Sequence, residues 1–169
     1  MRGDRQVSQV GLSKPRWTVQ GVVEAPVNKV AGLLLDLRPG RVTKDNGFLI
    51  YHAYLPLWQG REVEVKGGPE HFTAAVGRSD GKGDITIDVD RANNTFASQG
   101  NWWYRGVHTI QPYKNGSLVV HQVYNIAPGA GRWAVPLMQW RFESQLRNSL
   151  GALLKATGEV LHCKAEVLR

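Results

Sequence analysis

The stretch that decides the fold is Gly106–Ile126, GVHTIQPYKNGSLVVHQVYNI, in which two segments of alternating side chains flank Asn115-Gly116. Asn-Gly suits a type I′ turn, because both central residues of that turn need a positive φ. A two-residue loop at this position predicts an antiparallel hairpin in which His108 faces Val123. The chain is therefore expected to contain an antiparallel β-sheet.

Alternation along this hairpin divides its side chains between two faces. The first face carries Trp102, Tyr104, His108, Ile110, Val119, His121, Val123 and Asn125, and the second carries Trp103, Arg105, Thr109, Gln111, Val120, Gln122 and Tyr124. We expect the first face to point inward, because arginine, threonine and glutamine cost less free energy in water than in a core. In this register His108 and His121 are diagonal neighbours, roughly 7–8 Å apart at Cα.

The sequence on the N-terminal side of the hairpin contains strand and helix patterns. A first strand is predicted over Arg16–Glu24, where β-branched residues are frequent, and a helix over Val27–Leu37, where apolar residues recur at helical spacing. From there to about residue 126 the pattern alternates, which predicts strands. The clearest of these are Arg61–Lys66, His71–Val76 and Asp84–Asp90, the last preceded by a turn at Gly81-Lys82-Gly83.

After Gly131 the apolar residues return to helical spacing and predict one long helix, Arg132–Leu161. Its apolar arc holds Met138, Phe142, Leu146, Leu150, Leu153, Leu154, Ala156, Val160 and Leu161, together with the polar Gln139, Ser149 and Thr157. About 25 helical residues extend ~37 Å, so the helix needs a large apolar partner, and the antiparallel sheet is the candidate. We expect the middle of this helix, around Leu150, to line a pocket, and its end, around Val160, to seal a solid core.

The composition limits the class of protein. The chain has 169 residues and a net charge of +7, and its single cysteine excludes an intramolecular disulfide. One domain is expected, over 16–163, with 1–15 as a disordered N-terminal tail and 164–169 as a C-terminal tail. No apolar run is long enough to span a membrane or to act as a secretory signal, so we expect a cytoplasmic location. The cations are scattered along the chain, which favours a solvated surface over a nucleic-acid interface.

Three segments together carry a resemblance to a known superfamily: VVEAPVNKVAGLLLDL (Val22–Leu37), the hairpin Gly106–Ile126 and the final helix Arg132–Leu161. They resemble the START-like, or SRPBCC, superfamily of birch-pollen-allergen-like domains, which includes polyketide cyclases and lipid carriers. The resemblance covers about residues 16–161. It implies an α+β helix-grip fold, in which a curved antiparallel sheet wraps around a long C-terminal helix, a short helix follows the first strand, and a ligand cavity lies between sheet and long helix. A second helix normally follows the first one in this superfamily, whereas 38–46 is short and contains glycine and proline.

We therefore expect the protein to bind a small hydrophobic or aromatic molecule, such as a lipid or a polyketide-like compound, between the sheet and the long helix. Apolar walls with a few convergent polar groups are the usual composition of such a pocket. No cofactor and no metal are expected, because the sequence holds no dinucleotide, Walker or zinc-ligand motif. The candidate ligand-binding residues are Trp102, Tyr104, His108, Ile110, His121, Val123, Asn125, Gln139, Phe142, Leu146, Ser149, Leu150 and Leu153.

Two other functions stay open. The resemblance allows an enzyme similar to polyketide cyclases and aromatases, in which His108, His121 and Tyr104 are the candidate acids and bases, since histidine titrates near neutral pH. No carboxylate in the sequence clearly supports either histidine. The positive charge also allows association with RNA or the ribosome. The sequence leaves the identity of the ligand and the oligomeric state undecided.

Overall fold

One antiparallel sheet forms the framework of the computed structural model, which describes residues 14–77, 84–100 and 102–169. Within those ranges the sheet has nine strands in the order β2-β3-β4-β5-β6-β7-β8-β1-β9. Their bounds are β1 Trp17–Val23, β2 Gly40–Arg41, β3 Val63–Gly67, β4 His71–Val76, β5 Ile85–Asp90, β6 Thr95–Gly100, β7 Tyr104–Tyr113, β8 Gly116–Asn125 and β9 Ala165–Val167. The predicted tail over 1–13 and the turn at Gly81-Lys82-Gly83 lie outside the described residues.

Helical segments cover the inner face of this sheet. They are α1 Val27–Leu34, a π-helical turn Ile50–Tyr54, α2 Gly131–Met138 and α3 Phe142–Leu161. The long helix α3 packs along β1 and β9 and against the π-helical turn. Three residues of the segment expected to be a C-terminal tail form β9, which pairs with β1. No helix in the described ranges combines the length and the hydropathy needed to cross a bilayer.

The π-helical turn Ile50–Tyr54 corrects the prediction that the chain contains only strands between the first helix and the hairpin. The backbone N–H of Leu55 donates to the carbonyl of Ile50 at 2.9 Å, which is the five-residue spacing of a π-helix. Turn residues follow the π-helical turn as far as Gln59 and Gly60, which both have a positive φ. A second helical segment therefore follows α1, but it begins a few residues after 38–46.

The predicted single C-terminal helix is also wrong, because it is broken into α2 and α3. Pro136 has no N–H to donate within α2, and Gln139 leaves the helical region with φ −110° and ψ 35°. Within α3 the buried residues are members of the predicted arc: Phe142, Leu146, Ser149, Leu150, Leu153, Leu154, Ala156 and Thr157. Met138 is 71% exposed at the end of α2, and Val160 is 50% exposed near the end of α3, so neither seals a core.

The hairpin forms as predicted, but its register is shifted by two residues. Tyr113 pairs with Gly116, so the loop is Lys114-Asn115, and Lys114 supplies the positive φ at 50°. Gly116 has a different role, since a Cβ added there would overlap the carbonyl oxygen of Val23 on the neighbouring strand. A shift of two residues keeps every side chain of β7 and β8 on its predicted face. It changes the partners, so that His108 now lies directly opposite His121.

Candidate functional site

A cavity of about 790 Å³ lies between the N-terminal half of α3, the π-helical turn and the ends of strands β4–β7. Its apolar lining consists of Ala53, Pro56, Leu57, Trp58, Val76, Ile85, Gly100, Trp103, Phe142 and Ala152. Its polar lining consists of Tyr54, Gln59, Arg61, Ser98, Tyr104, Gln139, Gln145, Asn148 and Ser149. The cavity opens to solvent where Leu57, Gln145 and Ala152 are exposed.

Helix α3 presents two different faces, and only one of them lines the cavity. The cavity face carries Phe142, Gln145, Ser149 and Ala152, which are spaced by three or four residues. The hydroxyl of Ser149 donates to the carbonyl oxygen of Ala53 at 2.7 Å and so connects α3 to the π-helical turn.

A chain of hydroxyl groups lies at the inner end of the cavity. The hydroxyls of Tyr54 and Ser98 share a hydrogen bond of 2.8 Å, and those of Tyr54 and Tyr104 share one of 3.0 Å. Tyr54 and Ser98 are buried, and Tyr104 is half-buried. The Tyr104 hydroxyl also lies 3.5 Å from Nε2 of His121, which is longer than an ideal hydrogen bond.

Behind these hydroxyls, His108 and His121 form a fully buried pair. Their rings are stacked, with centroids 3.7 Å apart and planes inclined by 17°. Both ring nitrogens of His108 and Nδ1 of His121 have no hydrogen-bond partner among the described residues. Burial lowers the pKa of His121 to about 3, and burial together with the neighbouring His121 lowers the pKa of His108 well below 6.5. Both imidazoles are therefore neutral at pH 7.

The two tyrosines are neutral as well. Burial raises the pKa of Tyr54, and burial together with nearby Tyr54 raises the pKa of Tyr104 well above its ordinary value of 10.0. A phenol with a raised pKa keeps its proton at neutral pH and donates it in a hydrogen bond. The inner end of the cavity therefore presents neutral hydrogen-bonding groups to a ligand.

Gly106 makes room for these hydroxyls on strand β7. A Cβ added at this position would overlap the Tyr104 hydroxyl and would lie 3.0 Å from that of Tyr54. Gly106 is paired with Ser98 across β6 and β7, so the glycine and all three hydroxyls meet at one place on the sheet. The site therefore needs a residue without a side chain at position 106.

Of the thirteen candidate ligand-binding residues, four line the cavity: Tyr104, Gln139, Phe142 and Ser149. His108 and His121 lie behind it, and His121 reaches it only through Tyr104. The expectation that the middle of the long helix lines the pocket is corrected, because Leu150 is fully buried and does not line the cavity. The same correction applies to four further candidates, which are buried in the core away from the cavity: Ile110, Val123, Leu146 and Leu153.

The placement of the two adjacent tryptophans was predicted the wrong way round. Trp102 is 56% exposed, whereas Trp103 is buried and lines the cavity. Both residues precede the first residue of β7 and lie in a turn, so strand alternation does not apply to them. The Trp103 ring packs edge-on against Phe142 at 5.4 Å and against Trp17 at 5.9 Å.

Asn125 has a structural position instead of a place in the cavity. Its side-chain amide donates to the carbonyl oxygens of Gly131 and Arg132 at 3.2 Å each, and its Oδ1 accepts from the N–H of Ala127 at 3.0 Å. These bonds fasten the start of α2 to the end of β8.

Two members of the hydroxyl chain, Tyr54 and Ser98, were missed by the sequence analysis. Tyr54 belongs to the aromatic stretch FLIYHAYLPLW at 48–58. The spacing of apolar residues in this stretch, which is compatible with a helix, is the only sequence signal that could have pointed to Tyr54. Ser98 belongs to β6, where three consecutive residues, Phe96, Ala97 and Ser98, are buried and no alternation marks the inner face. Among the described residues, no group of three histidine, cysteine or acidic side chains is placed to hold a metal ion.

Comparison with known proteins identifies the fold. No protein-family model and no curated protein matches the chain. The crystal structure of Ara h 8.0201 is similar with a TM-score of 0.52 and 14% identity, over 86% of this chain and 97% of that one. Norcoclaurine synthase from Thalictrum flavum is similar with a TM-score of 0.51 and 12% identity, over 96% of this chain and 95% of that one.

These similarities agree with the arrangement of strands and helices described above. The protein has a helix-grip fold: a curved antiparallel sheet around a long C-terminal helix, with a short helix after the first strand. The α+β helix-grip fold that the sequence resemblance implied is therefore confirmed.

Proposed function

We propose that this protein binds a small, mainly apolar molecule that carries a neutral oxygen, such as a ketone or a phenol. The observation that carries the proposal is the cluster of three hydroxyls, from Tyr54, Ser98 and Tyr104, at the inner end of a largely apolar cavity. A ligand oxygen placed there exchanges hydrogen bonds with the cluster while its apolar body contacts the walls.

The size and the walls of the cavity support this class of ligand. A volume of about 790 Å³ lies within the roughly 300–1,000 Å³ that is usual for small-molecule sites. Aromatic rings line the wall, with Trp58 stacked on Tyr54 at 5.3 Å and Trp103 against Phe142 at 5.4 Å. Flat rings of this kind favour flat apolar ligands through stacking and edge contacts.

The electrostatics of the inner end favour a neutral oxygen over a carboxylate. The one charged side chain among the described lining residues is Arg61, which is exposed at the mouth. A buried carboxylate at the hydroxyl cluster would lie near neutral groups only, and this is costly in a low-dielectric environment. The free-energy cost of removing a ketone or a phenol from water is much smaller than that of a carboxylate.

The test compares two ligands of similar shape, naphthol and methylnaphthalene, by isothermal titration calorimetry. We expect the wild type to prefer naphthol about fivefold, which is the effect of one hydrogen bond of ~1 kcal/mol. Tyr104→Phe should abolish the preference and leave the affinity for methylnaphthalene unchanged. Tyr113→Phe, at the far end of β7, is the matched control and should behave as the wild type. Failure of both ligands to bind, or an unchanged preference in Tyr104→Phe, overturns the proposal.

A second function, catalysis similar to that of polyketide cyclases and aromatases, is favoured by the contact between the Tyr104 hydroxyl and His121. In it the neutral His121 accepts the proton of the Tyr104 hydroxyl through this contact while the phenolic oxygen removes a proton from the carbon next to a ketone, and both protons return by the same route when the product forms. A histidine whose pKa is about 3 is a weak base, which ranks this function second.

Hydrogen–deuterium exchange at the carbon next to the ketone of phenylacetone, followed by NMR, separates binding from catalysis. Acceleration by the wild type that is lost in both Tyr104→Phe and His121→Asn supports an enzyme. Binding of the ketone without acceleration excludes proton transfer of this kind. The cytoplasmic location stays a prediction from the sequence.

A further inference from the structure

We infer that the protein docks on the surface of an anionic lipid bilayer through an exposed apolar surface around α2. This surface, here called the aromatic surface, consists of Trp102, Trp133, Leu137, Met138 and Trp140. These five side chains are between 56% and 74% exposed, and three of them are tryptophans.

The geometry of α2 concentrates these side chains on the outside of the molecule. Trp133 and Leu137 are one helical turn apart and therefore share a face. Val135, which is buried, lies on the opposite side of the helix. A Cβ added at Gly131 would overlap the Trp102 indole, so Trp102 lies against the start of the same helix.

A group of exposed tryptophan, leucine and methionine side chains on and next to one short helix is unusual on a protein surface. Single exposed apolar residues are normal, but a cluster of them marks an interaction site. Tryptophan is favoured where an apolar phase meets water, because its ring is apolar and its indole N–H is a hydrogen-bond donor. Helices that lie in a bilayer surface bury such a face in the headgroup region.

The charges around the aromatic surface identify the bilayer as anionic. Arg132 and Arg141 are exposed and are adjacent in the sequence to Trp133 and Trp140, and the Arg141 guanidinium lies 4.6 Å from the centroid of the Trp140 ring. Glu143, the nearby carboxylate, is offset by Arg147 at 3.6 Å. The whole chain carries a net charge of +7, which adds a long-range attraction to an anionic surface.

The aromatic surface adjoins the cavity described above. Gln139, which lies between Met138 and Trp140 in the sequence, contributes to the cavity wall. A molecule that is poorly soluble in water partitions into bilayers, so docking here brings the cavity wall close to such molecules. This last point rests on the proposed function, whereas the docking itself rests on the aromatic surface and its charges.

The test is co-sedimentation of the full-length protein with vesicles of phosphatidylglycerol and phosphatidylcholine in equal parts, and with vesicles of phosphatidylcholine alone. We expect binding to the anionic vesicles that weakens with added salt, together with a blue shift of tryptophan fluorescence. The double variant Trp133→Ser/Leu137→Ser should bind at least about tenfold more weakly. Arg132→Glu should weaken binding by about fivefold or more.

Matched controls change exposed residues elsewhere on the protein. Val160→Ser replaces an exposed apolar residue of α3, and Lys155→Glu reverses an exposed charge of α3, and both should bind as the wild type. No binding to anionic vesicles, or equal binding by the double variant, overturns the inference. So does self-association that disappears in the double variant, because the aromatic surface is then a contact between two copies. Naphthol titration of each variant is independent of these results, so failure of docking and failure of the proposed function are distinguishable.

Discussion

The rings of His108 and His121 lie directly opposite each other on β7 and β8 and stack at 3.7 Å between centroids. Both are enclosed by the sheet and by Tyr54, whose ring contacts them edge-on at 5.9 and 6.4 Å. Among the described residues, no acidic side chain raises the pKa of either ring, so a proton on either ring would be a buried and unpaired charge. The pair therefore makes the stability of the fold depend on pH.

We predict that the free energy of unfolding falls as the pH decreases below about 6.5. Both folded-state pKa values lie below the ordinary value of 6.5, so below that pH the unfolded chain binds protons that the folded protein does not bind. Stability is constant above about pH 7.5 and is lost progressively toward the folded pKa of His121, about 3. Between about pH 7.5 and 5.5 each histidine should lower the free energy of unfolding by about 1.4 kcal/mol. Urea denaturation at a series of pH values measures this.

The variant His108→Phe isolates the contribution of one ring, because phenylalanine keeps the stacking and cannot be protonated. Its loss of stability between the two pH values should be smaller than that of the wild type by about 1.4 kcal/mol. His162→Asn is the control, since His162 is exposed and asparagine tolerates its φ of 53°. An unchanged pH dependence in His108→Phe would show that this histidine does not carry the effect.

Truncation of α3 should reveal which of its faces is a solid core. Leu150 is fully buried and does not line the cavity, so Leu150→Ala should cost about 2–5 kcal/mol of unfolding free energy. Val160→Ala, at a half-exposed position of the same helix, should change it by about 0.5 kcal/mol or less. Chemical denaturation compares the two variants, and equal costs would contradict the assignment of the two positions.

Addition of a single methyl group at Gly106 should disturb the hydroxyl chain. Gly106→Ala forces the Tyr104 and Tyr54 hydroxyls to move, and overpacking of this kind costs about 1–3 kcal/mol. The preference for naphthol over methylnaphthalene should be lost at the same time. Gly32→Ala is the control, because an added Cβ in helix α1 meets nothing within 4 Å, and it should stabilise the protein by about 0.5–1 kcal/mol. A folded Gly106→Ala variant with wild-type stability and ligand preference would refute the role given to this glycine.

The hydrogen bond between Ser149 and Ala53 should contribute to the position of α3. Ser149→Ala removes a buried donor from the Ala53 carbonyl, which should cost about 1–3 kcal/mol. Ser144→Ala, on the exposed side of α3, should stay within about 0.5 kcal/mol of the wild type. Thermal unfolding of both variants measures the difference, and equal melting temperatures would argue against a fastening role.

Much of the fold could be predicted from local patterns. The first strand and helix follow from β-branched residues before Pro26 and helical spacing after it. The inward face of β7 and β8 was also correct, because a register error of two residues preserves which side each residue faces. The prediction failed for Trp102 and Trp103, which precede β7, and Arg105 is 3% exposed although it was expected in water. The loop position was wrong for a tertiary reason: Gly116 is required by the close approach of Val23 and not by the turn.

The site was less predictable, because it is assembled from residues far apart in the sequence. Tyr54 contacts Ser98 across 44 residues and Tyr104 across 50 residues. No periodicity relates positions at such distances, and the hydroxyl chain exists only once the π-helical turn has packed against the sheet. In α3 the predicted apolar arc is buried, but the cavity lies at the edge of that arc, so that α3 presents Ser149 and Ala152 to the cavity in place of Leu150.

The three-residue strand β9 has a consequence for how the protein avoids aggregation. Strand β1 has seven residues, several of them β-branched, and such an edge is a template for pairing with another chain. The C-terminal segment covers it: Glu24 donates to Lys164 and Leu168 donates to the carbonyl of Gln20, each at 2.9 Å. The outermost strands of the described sheet, β2 and β9, are then only two and three residues long. Residues 164–168 thus occupy the hydrogen-bonding edge of β1. Their removal would expose β1 to pairing with a strand of another molecule.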